Sequence, residues 1–307
     1  MIANFFNKTK PINTLLIIVL LFFIYTISLL LNTNQPATFY FISKRVLYFI
    51  LLLIILFSVN FIVRKNNLTK SNSYSILLFV CLLGMFPFSI LNFNLAIVNL
   101  ILLFAYRRIY SLRTTKDTKE KLFDSSLWIG IATLIYPWSS LTLFLTFAAI
   151  YLFDKFTVRN ILIPMVGFIV PIFIYSAYLI AINSFDSLFA VFNFEYSLSF
   201  EAYNSLKLLI PLTIVTALII WSIFPTTLKI NAINNEFKNS WLLLVFHFFL
   251  LTFVVLPWPT KNGSEFLFLF FPMAIIFTNY LQIVEENWFK ELFLYALLAV
   301  VTIVFFL

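Results

Sequence analysis

The sequence predicts an all-α, polytopic membrane protein, and three observations carry that prediction. Mean hydropathy is +1.03, only 10% of residues are charged, and apolar runs of helix-spanning length recur from end to end. A transmembrane β-barrel would show short alternating segments instead. Polar stretches are too short to enclose a core of their own, so the chain reads as a single integral membrane domain over residues 1–307. A net charge of +8 is a signature of nucleic-acid binding in soluble proteins. Here Lys and Arg gather in loops between apolar runs, which reads as topology and leaves nucleic acid out as a partner.

The elements follow in order. Lys8 and Lys10 precede an apolar run at 14–31 with no small-residue cleavage site after Leu31, so it is expected to be a retained first span. A polar turn at 32–38 leads to a second span over 42–63, closed by Arg64, Lys65 and Lys70. Two further apolar segments are broken in the middle. The first, 75–106, breaks at Pro87 to Asn94; the second, 126–153, breaks at Tyr136-Pro137-Trp138-Ser139-Ser140. Between them lies the densest cationic stretch, Arg107, Arg108, Arg113, Lys116, Lys119 and Lys121, expected as a basic cytoplasmic loop over 107–125.

Half-segments of these runs reach only about 20 Å as helices, short of a core of roughly 30 Å. Charge nevertheless favours two short broken hairpins, because single long spans would place the basic loop outside. With hairpins, only Lys44, Arg45, Lys207 and Lys261 of the 20 Lys and Arg residues lie outside. Broken helices are tolerated where neighbours satisfy the freed backbone groups. The two breaks match in shape and not in sequence.

A Pro/Gly-containing span over 160–182, kinked at Pro164, Gly167 and Pro171, precedes the longest outward loop, 184–207. There Phe185, Leu188, Phe189 and Phe192 have the spacing of an interfacial helix. Spans over 208–225, 240–257, 265–284 and 290–307 bring the expected total to about eleven. The N-terminus is expected inside and the C-terminus outside a bacterial inner membrane. The six Trp residues fall near the expected span ends, as an interfacial belt requires.

Several residues invite a chemical reading. His247 sits mid-span, where an ionisable group is a functional candidate; the alternative is a neutral imidazole hydrogen-bonded to a neighbouring helix. Asp186, Glu195 and Glu201 on the outward loop can serve as general bases or metal ligands, or simply solvate the loop. Lys261 and Glu265, four apart, read as a pair. Arg107, Arg108, Arg113 and Lys116 suit anionic lipid headgroups as well as topology. With one Cys and one His, no disulfide and no multi-histidine site is expected. The sequence implies no metal and no cofactor, and a Gly-rich phosphate loop is missing.

Lys121-Leu122-Phe123-Asp124, Ile129 to Leu134, Tyr151-Leu152-Phe153, Arg159 to Pro164, Gly167 to Pro171 and Phe271-Pro272-Met273-Ala274 together resemble the membrane module of GT-C-type glycosyltransferases. As a whole the chain also resembles an uncharacterised family of Phe-rich inner-membrane proteins of flavobacteria-type species. The GT-C resemblance implies a helical scaffold and transfer from a polyprenyl-linked sugar. It also implies catalytic acids in the first outward loop, and residues 32–40 contain none. The expectation is therefore a non-catalytic inner-membrane subunit, a scaffold or accessory component of an envelope-assembly or secretion complex, with membrane lipids and other membrane subunits as partners. The alternative is a GT-C-like transferase acting through Glu195 or Glu201 in a cavity lined by Asn92, Asn94, Tyr136 and Trp138. A third reading is a lipid transporter using the same cavity.

Overall fold

The computed structural model describes residues 2–32, 38–232 and 237–307. The core of the first outward loop, 33–37, lies outside them. The described chain is all-helical, in fourteen α-helices: α1 (Ile2–Phe6), α2 (Pro11–Asn32), α3 (Phe39–Lys65), α4 (Tyr74–Met85), α5 (Pro87–Leu91), α6 (Phe93–Tyr110), α7 (Thr118–Ile135), α8 (Leu143–Leu152), α9 (Val158–Ala181), α10 (Ser187–Val191), α11 (Leu206–Ala232), α12 (Phe237–Val255), α13 (Leu267–Ile283) and α14 (Asn287–Phe306).

Eight helices among the described residues are long and apolar enough to cross a membrane: α2, α3, α6, α9, α11, α12, α13 and α14. The expected count was about eleven. The difference is α4, α7 and α8, the pieces of the broken segments. With 12 and 10 residues, α4 and α8 extend only about 18 and 15 Å. The 18 residues of α7 begin among the loop charges. The basic stretch 107–125 is mostly helical too. It consists of the end of α6, a 3₁₀ turn at Ser111–Arg113, a short connection and the first turns of α7.

Where the sequence suggests one membrane domain, the contacts divide the chain into two compact units. The first comprises residues 1–97, 199–235 and 260–307; the second comprises 98–198 and 236–259.

The first unit is built around α13 and α4. Every residue of α4 is buried, as is every residue of α13 from Leu267 to Leu281. Side chains that are apolar all round fit a helix enclosed on all sides. Phe79 of α4 meets Phe270 of α13 edge-on at 6.3 Å. Asn279 Nδ2 donates to the Leu68 carbonyl (3.0 Å) and so fastens the α3–α4 turn to α13. Glu291 of α14 accepts the backbone N–H groups of Ile2 and Ala3 at the start of α1. Trp221 of α11 donates to Tyr280 Oη at 2.7 Å.

In the second unit α7 and α9 run parallel in close contact. A Cβ on Gly167 would sit 2.2 Å from Ser126 Oγ and 2.7 Å from the Phe123 carbonyl oxygen; one on Gly130 would sit 2.6 Å from the Phe168 carbonyl oxygen. Two of the chain's four glycines are thus spent on one helix pair, the small-residue packing that membrane helices use. Pro164, Gly167 and Pro171 are all buried, and α9 is one continuous helix through them. Because α9 starts again beside the first turns of α7, the chain reverses within the second break and α8 returns it.

The breaks share more than shape. Phe86-Pro87-Phe88-Ser89 and Tyr136-Pro137-Trp138-Ser139 are both aromatic–Pro–aromatic–Ser. In each the Ser hydroxyl donates to the carbonyl of the first aromatic residue, three positions back, at 2.6 Å. That corrects the expectation of likeness in shape alone. Pro cannot donate to the preceding turn, and just after it the Phe86 and Tyr136 carbonyls each accept both the backbone N–H and the hydroxyl of the Ser.

Replacing Gly167 with Ala is expected to cost about 1–3 kcal/mol, because part of the obstruction is backbone. Gly84→Ala meets only the side-chain ends of Val301 and Ile24 and should cost less. Thermal midpoints of the two variants in one detergent check the order.

Candidate functional site

The segment 261–266 turns sharply into α13, and its residues dictate how. Gly263 has φ +91°, a left-handed conformation suited to glycine; a Cβ there would lie 2.8 Å from Leu208. Asn262 Oδ1 accepts from Ser264 N (3.0 Å) and Ser264 Oγ (2.6 Å). This turn drives Glu265, in the 3₁₀ turn Ser264–Phe266, inward until it is 0% exposed. Burying a carboxylate is costly unless it is hydrogen-bonded.

Tyr203, in the 3₁₀ turn Glu201–Asn204, provides that bond: its hydroxyl donates to Glu265 Oε1 at 2.5 Å. The backbone amides of Asn262, Gly263 and Glu265 lie close to the carboxylate. Its Oε2 takes no hydrogen bond of good geometry among the described residues. Aromatic rings enclose the group. Tyr203 lies 5.6 Å from Phe266, and Phe86 lies 4.8 Å from Phe266. Lys261 holds its ammonium 4.8 Å over the Phe200 ring. Burial lowers the Lys261 pKa, and the Glu265 charge partly offsets this. Burial also raises the Tyr203 pKa, reinforced by its bond to Glu265. The arrangement can pass a proton between phenol and carboxylate, or present a carboxylate to a donor that displaces Tyr203.

The residues singled out from sequence are spread across both units. Glu195 is exposed, with Asn193 Nδ2 at 3.4 Å from its Oε1. Glu201 is exposed at the start of the 3₁₀ turn carrying Tyr203. Glu195 belongs to the second unit and Glu201 to the first. Asn92 and Asn94 are in the first, where Asn92 Oδ1 accepts from Leu95 N at the start of α6 and Asn94 is exposed. Tyr136 and Trp138 are in the second. Tyr136 donates to the Val254 carbonyl (3.0 Å), and Trp138 Nε1 to the Glu195 carbonyl (3.0 Å). Structure therefore ties Trp138 to Glu195 through the backbone, not the carboxylate. The expected interfacial helix in 184–207 is only α10, five residues long.

His247 is fully buried in α12, its Nδ1 3.1 Å from Tyr110 Oη and its ring 4.2 Å from that of Tyr106, both on α6. Within the basic stretch, Arg108 pairs with Asp124 at 2.5 Å. Lys121 donates to the Ser111 carbonyl (2.9 Å) and Thr114 Oγ1 (2.7 Å). Arg107 and Arg113 are half-buried and Lys116 is exposed. Among the described residues no three His, Cys, Asp or Glu are grouped to hold a metal.

Sequence reasoning placed Glu265 at a loop border and left Tyr203 unread. The usable signal was Asn262-Gly263-Ser264, a turn sequence immediately before an apolar helix.

A family model described as a family of unknown function (DUF6427) matches residues 6–307, and the chain belongs to that family. No curated protein and no solved structure matches it.

Tyr203→Phe leaves a buried carboxylate without its charge-assisted bond and should cost about 1.5–3 kcal/mol. The pH dependence has a definite sign. Folding raises the Tyr203 pKa, so its contribution is complete below about pH 10 and declines as pH rises beyond that. In detergent, wild type should therefore lose stability above about pH 10 more steeply than Tyr203→Phe.

Proposed function

We propose that this multi-pass member of the family is a non-catalytic inner-membrane subunit, a scaffold or accessory component of an envelope-assembly or secretion complex. Its N-terminus is inside and its C-terminus outside. The observation that carries the reading is the long apolar surface its helices turn outward. Only 17% of the α9 span is enclosed by the protein, against 89% for α13. Leu162, Val166, Ile169, Phe173 and Tyr178 of α9 are each more than half exposed. On α11, Trp221 and Phe224 are 62% and 70% exposed. Such faces suit acyl chains and partner helices, and aromatic rings supply much of the contact area.

A second reading has its own support. A GT-C-like transferase using a polyprenyl-linked sugar needs a carboxylate near the outward face. The Tyr203–Glu265 pair, at the entry to the Phe271-Pro272 span, is a better-built candidate than the exposed Glu195 or Glu201. In this reading Glu265 is the base and the GT-C-like scaffold houses the carrier lipid.

Mild-detergent purification of the native, tagged protein with mass spectrometry of co-eluting species separates the two. Stoichiometric membrane proteins are the expected result; a lone chain carrying polyprenyl phosphate would overturn the scaffold. Complementation sharpens the test. Glu265→Gln should preserve function in the scaffold reading and abolish it in the transferase reading, while Glu195→Gln and Glu201→Gln should be tolerated in both.

A further inference from the structure

A groove of about 470 Å³ runs along the first turns of α9, lined by Phe123 of α7 and by Val158, Arg159, Leu162, Ile163 and Val166. From Val158 to Val166 it follows roughly 12 Å of helix. Its lining ends at Val166, and at the next residue, Gly167, α9 packs against the Phe123 carbonyl and Ser126. Its outer end holds the one charged group of the lining, Arg159, which is exposed and forms no ion pair among the described residues. The preceding turn adds Lys155 and the exposed Asp154, so this corner is net positive. Asp124, next to Phe123, is neutralised by Arg108.

A cationic end on an otherwise apolar trough complements an amphiphile with an anionic head and a hydrocarbon tail. A guanidinium suits a phosphate in particular, since its planar fork can donate two parallel hydrogen bonds. The Arg159 side chain also stands in the first turn of α9, where the helix dipole favours an anion, although Thr157 Oγ1 already caps the Asn160 N–H (3.2 Å). We propose that this groove binds one anionic phospholipid of the surrounding bilayer, its phosphate on Arg159 and one acyl chain along Phe123, Leu162, Ile163 and Val166. The proposal is independent of whether the chain serves as scaffold or transferase.

Native mass spectrometry of the full-length protein, given phosphatidylglycerol and excess phosphatidylcholine, tests it. Wild type should retain one phosphatidylglycerol per chain. Arg159→Gln should hold it about fivefold more weakly, as loss of one cation–headgroup contact predicts, while Lys70→Gln in the exposed turn before α4 should leave it unchanged. Val166→Trp, at a site already 56% exposed, should fill the trough and displace the lipid without unfolding the chain. Retention by Arg159→Gln equal to wild type, equal retention of both lipids, or occupancy by a second copy of the chain would each overturn the proposal.

Discussion

Everything in this protein depends on satisfying broken backbone inside an apolar chain. A helix carries its own hydrogen bonds through hydrocarbon, but an interrupted one exposes polar groups that lipid cannot solvate. Both interruptions carry the same local arrangement: an aromatic–Pro–aromatic–Ser sequence in which the first aromatic carbonyl accepts both the N–H and the hydroxyl of the Ser. Asn92 adds a side-chain acceptor at the start of α6, and Thr142 donates to the Ser139 carbonyl. Protein covers α4, which is buried throughout, whereas α8 is buried on one face only, at Leu145, Thr146, Ala149 and Ile150; Tyr136 reaches the Val254 carbonyl.

A second economy concerns small residues. The chain has only four glycines. Gly130 and Gly167 are both spent where α7 meets α9, and Gly84 is spent where α4 meets Val301 and Ile24. The fourth, Gly263, makes the turn that buries Glu265. Each glycine thus fixes either a helix contact or the candidate site. Close contact at Gly167 also adjoins the groove lined by Phe123, Arg159 and Val166.

The polar chemistry is placed differently from the apolar framework. His247 meets two tyrosines of a neighbouring helix, Tyr106 and Tyr110. Lys121 and Arg108, read as members of a solvated basic loop, are partly consumed in fastening that loop. The carboxylates that looked most available, Glu195 and Glu201, are exposed, whereas Glu265 is enclosed with a phenol. Accessibility along a loop says little about which acid is held in a defined geometry.

The sequence by itself determined the all-helical membrane class and the positions of both breaks, but not the number of spans. These follow from run length, proline and charge, properties of neighbours along the chain. It also contained the repeated aromatic–Pro–aromatic–Ser motif, legible once the two breaks are set side by side. Only the tertiary structure decided that α4 is enclosed by protein on every side and that α7 and α9 lie parallel. It alone brought Tyr203 to Glu265, 62 positions away. Contacts between residues so far apart depend on how whole helices pack, and apolar periodicity carries almost no record of which faces will meet.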